Sequence, residues 1–106
     1  MGFATWNPLF ATPPHPDFPS GHSTLAGAME IPLANLFGAN YHLTNHTYDY
    51  LGMPAQNYSS FADMAAQIGN ARVLAGIHTR HACVQGRLQG QIVAQNILNK
   101  IQFLKQ

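Results

Sequence analysis

Charge is what this chain has least of. Only 8% of its 106 residues are Asp, Glu, Lys or Arg, against roughly 25% in an ordinary globular protein. So little charge cannot solvate every outer face of several helices, and some apolar faces are expected to meet another chain or a missing part of a larger protein. The formal net charge is +1, with no basic stripe, which argues against nucleic acid as a partner. No apolar run reaches the roughly 18 residues of a membrane span, so none is expected. The opening Met1-Gly2-Phe3 shows neither the basic nor the apolar region of an export signal, and none is expected; the compartment stays open. The lone Cys83 excludes an internal disulfide.

The shortage is also uneven. No Lys or Arg precedes Arg72, and all five basic residues lie in the last third of the chain. An anion site in the first two-thirds must therefore use backbone dipoles, histidines, or cations reaching over from the C-terminal part.

Proline, by contrast, is concentrated at the start. Pro8, Pro13, Pro14, Pro16 and Pro19 each remove a backbone donor and push the preceding residue toward extended geometry. An extended arm is expected, lying across a surface and pinned by Trp6 and Phe10. From Ser20 the pattern becomes helical: Leu25, Met29, Leu33 and Leu36 recur at helical spacing, Gly38 marks the stop, and Pro32 is expected to kink the interior. That apolar stripe is expected to be buried core. Residues 39–58 read as a loop or weak hairpin, with Tyr41–Thr44 and Gln56–Tyr58 pairing around Gly52 and Pro54. His42 and His46, in this loop, are expected to be solvated.

Ser60 and Asp63 resemble a capping box, and Phe61, Met64, Ala65, Ile68, Arg72 and Ala75 then follow helical spacing to a stop at Gly76. The longest periodic segment runs from Ala82 to Leu104. It carries a large apolar stripe (Val93, Ile97, Ile101, Leu104) and a small one (Gly86, Gly90, Ala94) that lets a neighbouring helix approach closely. The expected fold is all-α: about three main helices in one partial bundle, residues 1–106, with an extended N-terminal arm and a short loop or hairpin.

The chemistry concentrates at two places. Pro19-Ser20-Gly21-His22 stands at a helix start, where free N–H groups carry partial positive charge. Ser20, Gly21 and His22 there offer a hydroxyl, a backbone open to close approach and a titratable imidazole, a seat for an anion. About fifty residues on come Arg72 and His78, flanking Gly76. On an unbroken helix, residues six apart diverge by about 120°, so Arg72 and His78 can converge on one ligand only if the helix breaks at Gly76.

With both in place, the sequence resembles the vanadium-dependent haloperoxidase and type 2 phosphatidic acid phosphatase superfamily. That superfamily carries Lys-x6-Arg-Pro, then Pro-Ser-Gly-His, then Ser/Ala-Arg-x5-His. The second motif stands here as Pro19-Ser20-Gly21-His22 and the third as Ala71-Arg72 through His78. The flanks, Pro13-Pro14-His15-Pro16-Asp17-Phe18 and Gly76-Ile77-His78-Thr79-Arg80, are similar to the haloperoxidase branch. The first motif is absent, and the acidic residue often found four after the last histidine is Ala82. The chain thus looks like the C-terminal part of the family's bundle.

The resemblance implies vanadate as cofactor, or phosphate as substrate, with neither haem nor nucleotide. His78 would bond to the vanadium, or attack phosphorus to form a phosphohistidine. Ser20, Gly21 and Arg72 would hold the oxyanion, and His22 would be the acid–base group. The activity implied is peroxide-dependent halide oxidation or phosphomonoester hydrolysis. A charge-assisted hydrogen bond contributes about 1.5–3 kcal/mol. Loss of the first motif's Lys and Arg should therefore weaken anion binding by roughly two to four orders of magnitude, unless Arg80, Arg87 or a partner subunit compensates. A non-catalytic, self-associating helical module derived from the same family stays open beside this, a homo-oligomer using the small-residue stripe or exchanging helices. A divalent metal held by His78 and His81 is a further, weaker alternative.

Overall fold

A computed structural model of the chain describes residues 7–102. The helices are α1 (Gly21–Phe37), α2 (Phe61–Leu74) and α3 (Arg80–Lys100), with strands β1 (Leu43–Asn45) and β2 (Gln56–Tyr58) between the first two. The strands pair antiparallel with Thr44 opposite Asn57, close to the expected hairpin. The three-helix, all-α expectation holds.

Local chemistry sets each helix end. Ser20 caps α1, its side chain accepting from the Ser23 amide, and Gly38, at φ 106°, ends it with its own amide on the Ala34 carbonyl. Such a φ strains any residue with a Cβ, which is why glycine stands there. Pro32 lies within α1. Ser60 caps α2 by accepting from the Asp63 amide at 2.9 Å. The reciprocal arm of the box is displaced by one residue: Asp63 accepts from the Ser59 amide at 3.0 Å. Thr79 caps α3, accepting from the Ala82 amide at 3.2 Å, so α3 begins earlier than Ala82. In the hairpin loop, His46 is exposed as expected but has a partner, Asp49, at 2.9 Å.

The core is made of small residues. Ala26, Ala65, Ala75, Ala82, Cys83 and Ala94 are buried, with Tyr58 the one large apolar side chain among them in the described residues. The reason is the approach of α1 to α3. A Cβ on Gly86 would fall 2.7 Å from the Ser20 carbonyl oxygen. One on Gly90 would fall 2.6 Å from the Ala28 nitrogen and overlap the Thr24 carbonyl, and one on Gly27 would overlap the Arg87 carbonyl. The two helices touch main chain to main chain, and glycine is what allows it.

This overturns the expected role of the α1 stripe. Leu25, Met29 and Leu36 are 65%, 49% and 44% exposed, while the buried face of α1 carries Ser23, Ala26, Gly27 and Glu30. On α3, Val93, Ile97 and Ile101 are likewise exposed, and Leu104 lies outside the described residues. The small stripe does admit a neighbouring helix as expected, but that neighbour is α1 of the same chain, so in this arrangement it is not free for self-association.

One charged group is buried in the seam. Glu30 receives two hydrogen bonds from Arg87, at 2.7 and 2.9 Å, and one from Gln91 at 2.7 Å. A buried carboxylate held this way is paired and hydrogen-bonded, the condition for tolerating its desolvation. It also raises the Arg87 pKa. Among the described residues no helix is long and apolar enough to cross a membrane.

The N-terminal arm is tied down through its backbone. The Leu9 and Phe10 amides both donate to the Ala75 carbonyl, at 3.1 and 3.5 Å, while the Phe10 ring is 60% exposed. Trp6, the other expected pin, lies outside the described residues.

Candidate oxyanion site

The end of α2 shows how the sequence brings Arg72 and His78 together. Gly76 adopts φ 76°, a left-handed turn that folds the chain back over the helix end. The Ile77 and His78 amides then both reach the Arg72 carbonyl, at 3.1 and 3.4 Å. The break that convergence required is present, and His78 sits directly beyond the turn that carries Arg72.

The His78 ring is fixed by the arm. Its Nδ1 lies 2.7 Å from the Asp17 carbonyl oxygen and 3.2 Å from Asp17 Oδ1. A carbonyl oxygen only accepts, so Nδ1 carries the hydrogen and the neutral ring keeps its lone pair on Nε2. That Nε2 is buried and has no protein partner. Arg72 Nε is in the same condition, as is Ser23 Oγ, the last at the α1–α2–α3 junction near Gly69 and Cys83. An unpartnered buried polar atom costs about 1–3 kcal/mol, and two of the three belong to residues the sequence picks out.

His22 completes the group. Burial lowers its pKa first, followed by the charges of Arg72, His78 and His15. His22 itself lines a cavity between α1 and α2 with Leu25, Met29 and Phe61, whereas Arg72 lines one beneath the arm with Phe10 and Pro13. Gly21 has open space where a Cβ would point, so the start of α1 is accessible to a ligand. Ser20 is placed differently from the expectation of a free hydroxyl: it is fully buried, and its Oγ already caps α1. What it retains for an anion is the hydroxyl proton.

The other two arginines are committed elsewhere. Arg87 holds Glu30, and Arg80 Nη2 donates to Asn70 Oδ1 at 2.8 Å. Neither replaces the missing first-motif cations. Among the described residues no three His, Cys, Asp or Glu side chains gather as a metal site. His81 instead stacks on Phe18 with ring centroids 5.5 Å apart.

Sequence reasoning missed two residues here. Asp17, half-exposed, accepts from the Thr79 amide and hydroxyl, each at 2.9 Å. Those bonds, in that order, and then His78, hold its carboxyl below the usual range. His15 stacks on His78 at 5.5 Å and 13°. Both lie in the Pro13–Phe18 flank, the available signal.

A lone pair on His78 Nε2, a guanidinium nitrogen without a partner, a helix N-terminus and a second imidazole suit a small tetrahedral or trigonal-bipyramidal oxyanion such as vanadate or phosphate. The three-helix half-bundle defines a haloperoxidase-type helical domain. The family model for the VCPO second helical-bundle domain matches residues 1–106. The chain therefore belongs to the vanadium haloperoxidase superfamily and corresponds to its C-terminal part. It is similar to a solved structure described as the first bacterial vanadium-dependent iodoperoxidase, at 33% identity and a TM-score of 0.89, over 97% of this chain and 25% of that one. The chain thus spans about a quarter of the iodoperoxidase chain. No curated protein matches significantly.

Proposed function

We propose that the chain is a vanadate-binding haloperoxidase domain serving peroxide-dependent halide oxidation, and that it is weak or inactive alone. The observation that carries this is that His78 Nε2 and Arg72 Nε are both buried and partnerless, in two residues joined across the Gly76 turn by the His78 amide on the Arg72 carbonyl. Vanadate, when bound, supplies the Lewis acid that activates peroxide.

The chain's own residues have defined tasks. His78, held as the Nδ1–H tautomer, presents one lone pair for coordination. Arg72 donates to the anion's oxygens. The Gly21 and His22 amides add the partial positive charge of the α1 start, with the Ser20 hydroxyl proton as a further donor. His22, kept neutral by its surroundings, takes up a proton at the site and returns it. Its pKa rises as a bound anion offsets the positive neighbours, so occupancy sets its protonation state. The same donors fit phosphate, and a phosphohistidine at Nε2 is the corresponding hydrolytic chemistry; the similarity to an iodoperoxidase favours halide oxidation.

Vanadium-51 NMR titration of the isolated chain is the test. Weak binding, lost in His78→Ala, is expected. Submicromolar binding would overturn the argument from the missing Lys and Arg. Millimolar vanadate that does not distinguish the parent from His78→Ala would overturn the site itself. Vanadate- and bromide-dependent dye bromination separates halide oxidation from phosphatase activity, which would instead release a phenol from an aryl phosphate and be inhibited by vanadate.

A second reading, a self-associating module, is favoured by the apolar side chains left exposed on α1 and α3. Sedimentation at several concentrations tests it: a monomer throughout would count against it.

A further inference from the structure

The family's usual carboxylate near the last histidine is missing from α3, because that position is Ala82. Ala82 has no polar group to spare for that role: it is fully buried, its amide is taken by Thr79 Oγ1, and its carbonyl accepts from the Ser20 amide at 3.1 Å. A carboxylate nevertheless reaches the His78 ring, and it comes from the arm.

We infer that Asp17 is the positioning residue of His78: its side chain clasps Thr79, and the clasp holds the Asp17 main-chain carbonyl on the Nδ1–H of His78, leaving Nε2 as the lone pair. The carbonyl makes the shorter contact, 2.7 Å against 3.2 Å for Oδ1, so tautomer selection belongs to the main chain. Yet this main chain lies in an exposed, proline-rich arm with few donors of its own. Its grip on the His78–Thr79 turn comes from the carboxylate, which spans the Thr79 amide and hydroxyl with separate oxygens. Thr79 in turn caps α3, so a single side chain ties the arm, the ring and the helix start together. Neutral histidine in water favours the opposite tautomer, with the hydrogen on Nε2; its lone pair then sits on Nδ1, against Asp17, and none is left on Nε2 for a ligand. The orienting partner of a ligating histidine is commonly a carboxylate or a main-chain carbonyl; here one residue furnishes both.

The tautomer claim stands on the apo chain, whereas its effect on binding rests on the proposed function. Nitrogen-15 correlation spectra of the labelled chain at pH 8 are expected to show His78 Nδ1 protonated and Nε2 bare. Asp17→Ala is expected to shift the ring toward Nε2–H and to raise the vanadate Kd at least tenfold. Asp17→Asn, whose amide still bridges the Thr79 amide and hydroxyl, is expected to keep the parent tautomer and a Kd within threefold. An unchanged tautomer in Asp17→Ala overturns the inference, and so does Asp17→Asn behaving like Asp17→Ala. If Asp17→Ala loses the helical circular dichroism, Asp17→Glu takes its place, its carboxylate displaced by one methylene, and an unchanged Nδ1–H signal there overturns the inference equally. If the parent binds no vanadate, the proposed function fails while the tautomer result still decides the role of Asp17.

Discussion

Substituting Gly90 by alanine tests the seam that joins α1 to α3. The added methyl would overlap the Thr24 carbonyl and stand 2.6 Å from the Ala28 nitrogen. Both are main-chain atoms of a regular helix, so no rotamer change relieves the contact and the two helices must separate. Overpacking of this kind costs about 1–3 kcal/mol, and a contact with backbone on both sides belongs at the upper end. The gain in helix propensity from glycine to alanine, about 1 kcal/mol, works the other way. A net loss of about 1–2 kcal/mol follows, lowering the urea midpoint by about 1 M for an m-value near the small-domain range. Gly21→Ala is the internal control, because nothing lies within 4 Å of the added methyl, and it should cost nothing in stability. Gly69→Ala should fall between them, its methyl 3.2 Å from the Ser23 hydroxyl, which can rotate. Urea unfolding followed by circular dichroism reads all three. A Gly90→Ala midpoint equal to the parent's, or a Gly21→Ala loss as large as that of Gly90→Ala, would refute the main-chain seam.

Three further outcomes are expected. Glu30→Ala removes the partner of an Arg87 side chain that is 27% exposed and also donates to the Ala62 carbonyl at 3.1 Å, so it should cost about 1–2 kcal/mol, less than breaking a fully buried pair; no urea-derived loss, or one above about 3 kcal/mol, would contradict it. His22, with its pKa lowered in the folded chain, binds fewer protons than the unfolded chain between its folded value and 6.5, so its contribution to stability rises with pH across that window and falls on acidification. An NMR titration midpoint for His22 at or above 6.5, or no rise on adding phosphate, would count against its placement. Arg72→Lys replaces a planar fork by a point charge and should weaken vanadate binding by about tenfold; an unchanged affinity would remove Arg72 from the site.

Helix ends are the most legible part of this chain. Ser20, Ser60 and Gly38 act through bonds to neighbours a few residues away, and Gly76 breaks α2 for reasons a sequence displays. The turn that sets His78 against the end of α2, next to Arg72, is legible too, once the break at Gly76 is required. Which face of α1 is buried is not. Large apolar residues and small ones both recur at helical spacing, and a reading that weights hydrophobicity chooses Leu25 and Met29. The structure selects by distance of approach, which favours Gly27, Gly86 and Gly90. Asp17 escapes for a different reason: it meets His78 across sixty-one positions of sequence, through an arm whose path no local rule determines. Ser20 is visible as a cap and as a motif residue, and only the fold shows that capping takes its oxygen first.

The contact of α1 with α3 has a bearing on how the site is calibrated. Ser20 and Thr79, the residues from which those helices set out, stand at the same end of the seam, one leading to His22 and the other following His78. The span between the two imidazoles is accordingly gauged by polypeptide against polypeptide, a dimension that does not depend on the size of any filler between them. Exchanges of bulk elsewhere on the outer faces of these helices should leave that gauge untouched, whereas a single methyl at Gly27 or Gly90 would widen it.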